Sequence, residues 1–205
     1  MASVIIDGPK TAAKTLLFAH GAGAPMDSPF MNRVAQGVAA SGVRVVRFEF
    51  PYMQRRRESG KRGAPDVAPV LMQHFREMID QHGAGRKLVI GGKSMGGRIA
   101  SMVADVAGVL GLVCLGYPFH PPGQAAKTRT KHFESLRTPT LILQGTRDSF
   151  GGPDDVRRYK LSPAIHVEWL EDGDHSFKPR ARSGHTEADN LRTAIALVAD
   201  FIASL

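Results

Sequence analysis

Short, uniformly apolar runs alternate with helical patterns along this chain of 205 residues. Runs rich in β-branched and other apolar residues predict seven strands, at Val4–Ile6, Thr15–Ala19, Val43–Phe50, Lys87–Gly91, Val109–Gly116, Thr140–Gly145 and Ile165–Leu170. Helical spacing predicts five helices, at Ser28–Ala40, Asp66–Gln81, Met95–Val106, Pro153–Tyr159 and His185–Ser204. Because the strands lack a polar face, we expect one α/β domain, residues 1–205, with a mostly parallel sheet covered by helices on both faces. Its functional residues should lie in loops at the carboxyl ends of the strands.

The longest apolar run, residues 107–119, is interrupted by glycine and is shorter than the roughly 18 residues that span a bilayer. The N-terminus has no apolar signal region with a cleavage site. The single cysteine, Cys114, permits no intramolecular disulfide, and its apolar neighbours predict a buried, inert thiol. These features predict a cytoplasmic protein that does not associate with a membrane.

The formal net charge is +8, which raises the question of nucleic-acid binding. The basic residues are spread along the chain, and no zinc spacing, aromatic RNA-binding motif or helix-turn-helix pattern accompanies them. A solvated basic surface is therefore favoured over a nucleic-acid site. The sequence predicts neither a metal site nor a cofactor.

Residues 92–96, "GKSMG", match G-x-S-x-G and lie directly between an apolar strand and a helical pattern. This context is typical of a nucleophile, Ser94 here, on a strained strand-to-helix turn where larger residues in place of the two glycines would clash. A phosphate-binding loop needs a glycine five positions before Gly92, where Lys87 stands, and the intervening residues form a strand. The motif therefore predicts a nucleophilic serine.

A serine nucleophile needs a base, and the base needs an orienting acid. The best base is His175, in the turn "EDGDHSF" between the last strand and the last helix. The best acid is Asp148, just past the strand Thr140–Gly145. Asp172 and Asp174 are rivals because they adjoin the histidine, but acids of a tight turn are usually solvated or bonded to their own backbone. The resulting chain order Ser, Asp, His is that of α/β-hydrolases.

Acyl transfer also needs an oxyanion hole. One donor should be the backbone N–H of Met95, immediately after the nucleophile. The second should come from the small residues of "AHGAGAP", where we favour the N–H of Ala22 and keep Gly21 and Gly23 as alternatives that also contact substrate. His20 is expected to be a structural ring that bonds this loop.

Six segments, in this order and spacing, resemble a small, lidless α/β-hydrolase: "HGAGAPMDSPFM", "RFEFPYM", "GGKSMGGRIAS", "LGYPFHPPG", "LQGTRD" and "DGDHSF". Within that superfamily, "GKSMGGR" and "YPFHPPG" resemble the branch of the testis-expressed hydrolase-like protein and the hydrolase-like subunit of the NSL chromatin acetyltransferase complex. The resemblance implies an α/β-hydrolase fold with nucleophile Ser94, acid Asp148 and base His175. Dienelactone hydrolases are similar in size but carry cysteine at the elbow, which argues against their activity.

The resemblance implies a serine hydrolase that acts on esters or thioesters through an acyl-enzyme. An alternative is a non-catalytic interaction module, since some members of the branch act as binding partners. About twenty residues separate Pro118 from Pro139, too few for a large lid, which favours small or soluble acyl substrates. In residues 117–123, "YPFHPPG", the side chains of Tyr117, Phe119 and His120 either line the acyl pocket or pack as a rigid turn.

The segment 51–66, "PYMQRRRESGKRGAPD", follows a predicted strand at the edge of the sheet that should carry Ser94. Its glycine, proline and charge predict a mobile rim loop. Its basic residues are interpreted either as solvated charge or as a site for the anionic end of a substrate: Arg55, Arg56, Arg57, Lys61 and Arg62.

Overall fold

The computed structural model describes residues 4–83 and 87–205. Its strands are β1 (Val4–Asp7), β2 (Thr15–Ala19), β3 (Arg44–Phe48), β4 (Leu88–Lys93), β5 (Gly111–Leu115), β6 (Thr140–Gly145) and β7 (Ile165–Leu170). Its α-helices are α1 (Pro29–Ala39), α2 (Pro51–Ser59), α3 (Ala68–His82), α4 (Met95–Ala107), α5 (Pro153–Val156) and α6 (Glu187–Ser204). All seven predicted strands are confirmed, with only their ends shifted.

The strands of the described residues form one sheet in the order β1-β3-β2-β4-β5-β6-β7. Strands β2 to β7 run parallel, and β1 pairs antiparallel with β3 at the edge. The predicted, mostly parallel sheet is therefore confirmed. Its parallel direction brings the carboxyl ends of β2, β4, β6 and β7 to one edge, where the loops that follow these strands meet.

Each face of the sheet has its own apolar core. Alternate residues of a strand point to opposite faces, so Leu17 and Ile90 join one core while Leu16 and Val89 join the other. The first core is covered by α3 and α4, and the second by α1 and α6. Because both faces are covered, the strands are apolar throughout, which is the pattern that the sequence displays.

The first part of the rim segment after β3 is a helix where a mobile loop is predicted, and residues 60–66 have no regular structure. Helix α2 begins with Pro51 and ends at Gly60, whose φ of 68° is the left-handed conformation that glycine favours at a helix end. Only Tyr52 and Met53 of this helix are buried. The apolar stripe that normally reveals a helix in a sequence is therefore missing, and terminal signals alone identify it.

The connection from β5 to β6, residues 116–139, carries a 3₁₀ turn at Lys131–Glu134 and buries Phe133 in the core. Among the helices of the described residues, none has both the length and the apolar character that crossing a bilayer requires.

Candidate active site

Ser94 lies in a sharp turn between β4 and α4, with φ 51° and ψ −114°. Such a backbone conformation costs a non-glycine residue about 1–3 kcal/mol. The glycines of the motif are required by close packing, because a Cβ atom on Gly92 would lie 2.6 Å from the carbonyl oxygen of Ala19, and one on Gly96 would lie 2.5 Å from it. Backbone hydrogen bonds hold the turn, including one of 2.9 Å from the Ser94 N–H to the Leu115 carbonyl.

The structure brings the three predicted triad residues into one hydrogen-bonded chain. His175 Nε2 lies 2.8 Å from Ser94 Oγ, and His175 Nδ1 lies 2.8 Å from Asp148 Oδ2. Asp148 is buried, and its carboxylate also accepts hydrogen bonds from the Phe150 N–H and the side chain of Gln144, at 2.8 Å each. With the carboxylate receiving Nδ1–H, the lone pair of Nε2 faces the serine hydroxyl.

The two rival carboxylates, Asp172 and Asp174, bind groups other than the His175 ring. Asp172 forms an ion pair with Arg180, and the hydrogen bonds that the Arg180 side chain donates lower the pKa of the Asp172 carboxyl. Asp174 accepts from backbone N–H groups of its own turn, including that of Ser176 at 2.8 Å. In this geometry only Asp148 of the three contacts the ring of His175.

His20 anchors the loop that follows β2. Its Nε2 accepts the backbone N–H of Phe50 at 3.1 Å, so the ring proton must lie on Nδ1. Nδ1 then donates to the Gly21 carbonyl at 2.6 Å. Burial lowers the pKa of His20, in agreement with a neutral ring that bonds the loop.

Tyr52, from the unpredicted helix α2, is a second anchor that sequence reasoning missed. Its hydroxyl lies 2.9 Å from the Ala22 carbonyl and 3.3 Å from the Gly21 carbonyl. In a planar trans peptide the carbonyl and the N–H point in opposite directions. Since the Gly21 carbonyl is turned toward His20 and Tyr52, the N–H of Ala22 is turned away from them.

Lys93 is a buried cation beside the triad that sequence reasoning also missed. Its Nζ donates to the His175 carbonyl at 2.7 Å and lies 5.6 Å from the centre of the Phe30 ring. Burial lowers the pKa of Lys93 to about 8, although Asp148 and Asp174 act in the opposite direction. A lysine at the end of an otherwise apolar strand is the sequence signal that could have identified it.

Two cavities meet at Ser94. The first, of about 330 Å³, is lined by Gly21, Ala22, Gly23, Ala24, Ser28, Phe30, Met31, Lys93, Ser94, Phe150, His175 and Ser176. The second, of about 360 Å³, is lined by Ala22, Pro65, Asp66, Ala68, Leu71, Ser94, Met95, Arg98, Pro118, Arg129 and Phe150. His175 faces the first cavity, and Met95 with two arginines faces the second.

The alpha/beta hydrolase domain family model matches residues 12–203. The chain belongs to the alpha/beta hydrolase family. Similar solved structures include a serine hydrolase homologue from Coxiella burnetii, with 18% identity over 96% of this chain and 89% of that one and a TM-score of 0.72. A lidless serine hydrolase from Xanthomonas campestris shares 20% identity over 95% and 86%, with a TM-score of 0.68. A dienelactone hydrolase from Anabaena variabilis shares 18% identity over 98% and 90%, with a TM-score of 0.73.

At these identities the likeness establishes the fold alone, and the predicted α/β-hydrolase fold is confirmed. In this alpha/beta hydrolase the small residues Gly21, Ala22 and Gly23 line the first cavity. The described residues contain no group of three or more His, Cys, Asp or Glu side chains placed to hold a metal ion.

The acyl-pocket role given to Tyr117, Phe119 and His120 is contradicted by the structure. All three side chains are buried and line neither cavity. Tyr117 instead donates its hydroxyl to the Arg129 carbonyl at 2.8 Å and packs on Phe119, with ring centres 4.9 Å apart. Residues 117–120 form the rigid, packed turn of the alternative interpretation, and Pro118 is the one of these four that lines the second cavity.

Two of the five basic residues of the rim, Arg55 and Arg57, pair with carboxylates in this hydrolase. Arg57 forms ion pairs with Glu49 at 2.6 Å and Asp27 at 2.9 Å, and Arg55 pairs with Asp66 at 2.5 Å. Their guanidinium charges therefore hold α2 against the neighbouring loops.

Cys114 is fully buried, as predicted, and burial raises the pKa of its thiol.

Proposed function

We propose that this protein is a serine hydrolase that cleaves carboxylic esters or thioesters of small or soluble acyl substrates. The observation that carries the proposal is the chain of two 2.8 Å contacts from Ser94 through His175 to Asp148. A hydroxyl beside a neutral imidazole lone pair, on a ring oriented by a buried carboxylate, is the arrangement that makes serine nucleophilic.

In the first step Ser94 Oγ attacks the acyl carbon while His175 Nε2 takes the hydroxyl proton. The tetrahedral intermediate then breaks its bond to the alcohol or thiol, which leaves with the proton from His175. In the second step His175 takes a proton from water as the water oxygen attacks the acyl-enzyme. Collapse of the second intermediate returns that proton to Ser94 and releases the carboxylic acid.

We assign the oxyanion to the N–H groups of Met95 and Ala22. Met95 is the first residue of α4, so its N–H has no acceptor within the helix. The N–H of Ala22 is turned away from the His20 and Tyr52 side that holds the preceding carbonyl. Both residues line the second cavity together with Ser94, which supports a shared oxyanion position there.

The two cavities divide the substrate between them in this proposal. His175 must reach the leaving group to protonate it, and His175 lines the first cavity. The leaving alcohol or thiol therefore occupies the first cavity, beside Phe30 and Lys93. The acyl group extends from Ser94 into the second cavity, between Leu71 and the two arginines.

Labelling with a fluorophosphonate and peptide mapping tests the proposal. We expect one labelled site, Ser94, with label and p-nitrophenyl ester hydrolysis both lost in Ser94→Ala. Ser59→Ala, at an exposed serine of α2, is the matched control and should keep both. A wild-type protein that neither reacts nor hydrolyses esters would favour the non-catalytic interaction module that the family branch suggests. A cytoplasmic location and the absence of nucleic-acid and membrane partners remain part of the proposal.

A further inference from the structure

We propose that the acyl group of the substrate carries a carboxylate that binds to Arg98 and Arg129 in the second cavity. The inference rests on the proposed function and specifies its substrate class: monoesters or monothioesters of dicarboxylic acids. It replaces the rim arginines with a different pair as the site for an anionic substrate.

The two guanidinium groups are unmatched by protein charge. Both side chains are half-buried, and both line the second cavity. Within residues 4–83 and 87–205, neither forms an ion pair or a side-chain hydrogen bond with the protein. Burial lowers the pKa of Arg129, and the nearby charge of Arg98 lowers it further. Two adjacent cations without a carboxylate form a site that an anion would stabilise.

Other arginines beside the site show the contrast. Arg57 and Arg55 have carboxylate partners at 2.6 Å and 2.5 Å. The acidic residue of the second cavity, Asp66, already binds Arg55 through Oδ1, while its buried Oδ2 has no hydrogen-bond partner among the described residues. Since that oxygen would repel a carboxylate, the substrate's anionic end should turn toward Arg98 and Arg129.

The position of Arg98 fixes the distance scale. Arg98 lies one helical turn beyond Ser94, and its N–H donates to the Ser94 carbonyl at 3.0 Å. Four residues of helix advance about 6 Å, which a chain of several methylenes spans. Apolar side chains along the same cavity, including Leu71, Ala68 and Pro118, provide a surface for those methylenes. The one-turn spacing of Ser94 and Arg98 and the apolar lining together favour an acyl chain with a carboxylate a few carbons from the ester.

The kinetic test compares two p-nitrophenyl esters that differ only at the far end of the acyl chain: the adipic acid monoester and its methyl-capped counterpart. We expect wild type to prefer the acid. Arg98→Gln and Arg129→Gln should each lower kcat/KM for the acid by about 10- to 100-fold and leave the methyl-capped ester within about twofold. Arg98→Lys should recover part of the loss. Arg192→Gln, which removes an exposed arginine of α6, is the control and should change neither.

A second substrate pair tests which cavity takes the charge. In the acetyl ester of 4-hydroxybenzoate the carboxylate is on the leaving group, and the methyl benzoate analogue is its neutral match. We expect Arg98→Gln to affect these two equally. A selective loss for the charged leaving group would overturn the placement of the anion on the acyl side.

Binding of adipate to the Ser94→Ala protein, measured by calorimetry against the uncharged dimethyl adipate, tests the site without turnover. We expect adipate to bind more tightly, and Arg98→Gln to abolish the difference. If adipate binds in this way but wild type hydrolyses neither ester, the proposed hydrolase function fails while the anion site stands. Equal binding of the two compounds, or equal kcat/KM for the two adipate esters, would overturn the anion site.

Discussion

Lys93 Nζ donates a 2.7 Å hydrogen bond to the backbone carbonyl of His175, so the residue before the proposed nucleophile holds the loop of the proposed base. Lys93 is the last residue of β4, and His175 lies in the irregular loop that follows β7. The two triad loops are thereby joined directly, besides their contact through the serine hydroxyl. Lys93 is a positioning residue in this arrangement, because it acts on the backbone of the base.

Lys93→Met keeps the length of the side chain and removes the donor. We expect kcat to fall roughly 10- to 100-fold with little change in KM, since a small displacement of His175 weakens proton transfer more than substrate binding. Ester hydrolysis measured over a range of substrate concentrations separates the two constants. A raised KM with unchanged kcat would instead assign Lys93 to substrate binding in the first cavity.

The same variant should change how stability depends on pH. Burial lowers the pKa of Lys93 from 10.5 to about 8, so between these values the unfolded chain binds more protons than the folded one. The cost of the buried charge is fully present below pH 8 and disappears as pH rises toward 10.5. The free energy of unfolding of wild type should therefore gain about 2 kcal/mol relative to Lys93→Met between pH 7.5 and 10. Denaturant titrations at both pH values measure it, and parallel changes in the two proteins would contradict the assignment.

Asp148→Asn tests the orienting acid. The amide would present a donor to His175 Nδ1, turn the ring to the wrong tautomer, and lower kcat by about 10⁴-fold. Asp174→Asn is the matched control on the neighbouring turn and should retain activity, because Asp174 bonds only to backbone in the described geometry. Loss of activity in Asp174→Asn with an active Asp148→Asn would reverse the assignment.

The residues of the candidate triad could be predicted to lie together because local patterns mark them. Ser94 is flanked by glycines that close packing against Ala19 requires, and Asp148 directly follows an apolar strand. The elements that carried an apolar period were likewise predicted with small errors at their ends. Helix α2 was missed because Tyr52 and Met53 are its only buried residues.

Tyr52→Phe tests the anchor of the oxyanion loop. Loss of the hydroxyl removes the hydrogen bonds to the Ala22 and Gly21 carbonyls. We expect kcat to fall about tenfold without a matching change in KM, because an oxyanion donor acts mainly in the transition state. Tyr159→Phe is the control: its buried hydroxyl has no hydrogen-bond partner among the described residues, so activity and stability should be kept. If the two variants have equal effects on kcat, the Tyr52 hydroxyl does not position the oxyanion loop.

Substrate-facing residues were harder to predict than the triad, because tertiary contacts decide which side chains are free. Tyr117 and Phe119 leave a strand end near the site, yet each finds an aromatic partner and is buried. The rim arginines were chosen for their local density of charge, but Arg57 is matched by Glu49 and Asp27, which lie in other segments. Charge pairing over such distances in sequence leaves no local pattern.

We expect His132 to make the stability of the protein sensitive to acid. Its Nε2 lies 2.8 Å from Ser101 Oγ, and that hydroxyl donates to the Arg98 carbonyl, so the imidazole must be the donor in the first contact. Burial, with a further contribution from the charge of Arg98, lowers the pKa of His132 from 6.5 to about 4. Between these values the unfolded chain binds more protons than the folded one, so stability should fall as pH decreases from 6.5 toward 4.

His132→Gln keeps a donor toward Ser101 and removes the titration. We expect the free energy of unfolding of wild type to decrease more than that of the variant between pH 7 and pH 4.5, by about 1–2 kcal/mol after allowance for partial solvent exposure. Urea titrations of both proteins at the two pH values give the comparison, and His166→Gln, at an exposed histidine of β7, is the matched control. If His132→Gln and wild type lose the same free energy of unfolding, the loss of stability in acid arises from groups other than His132.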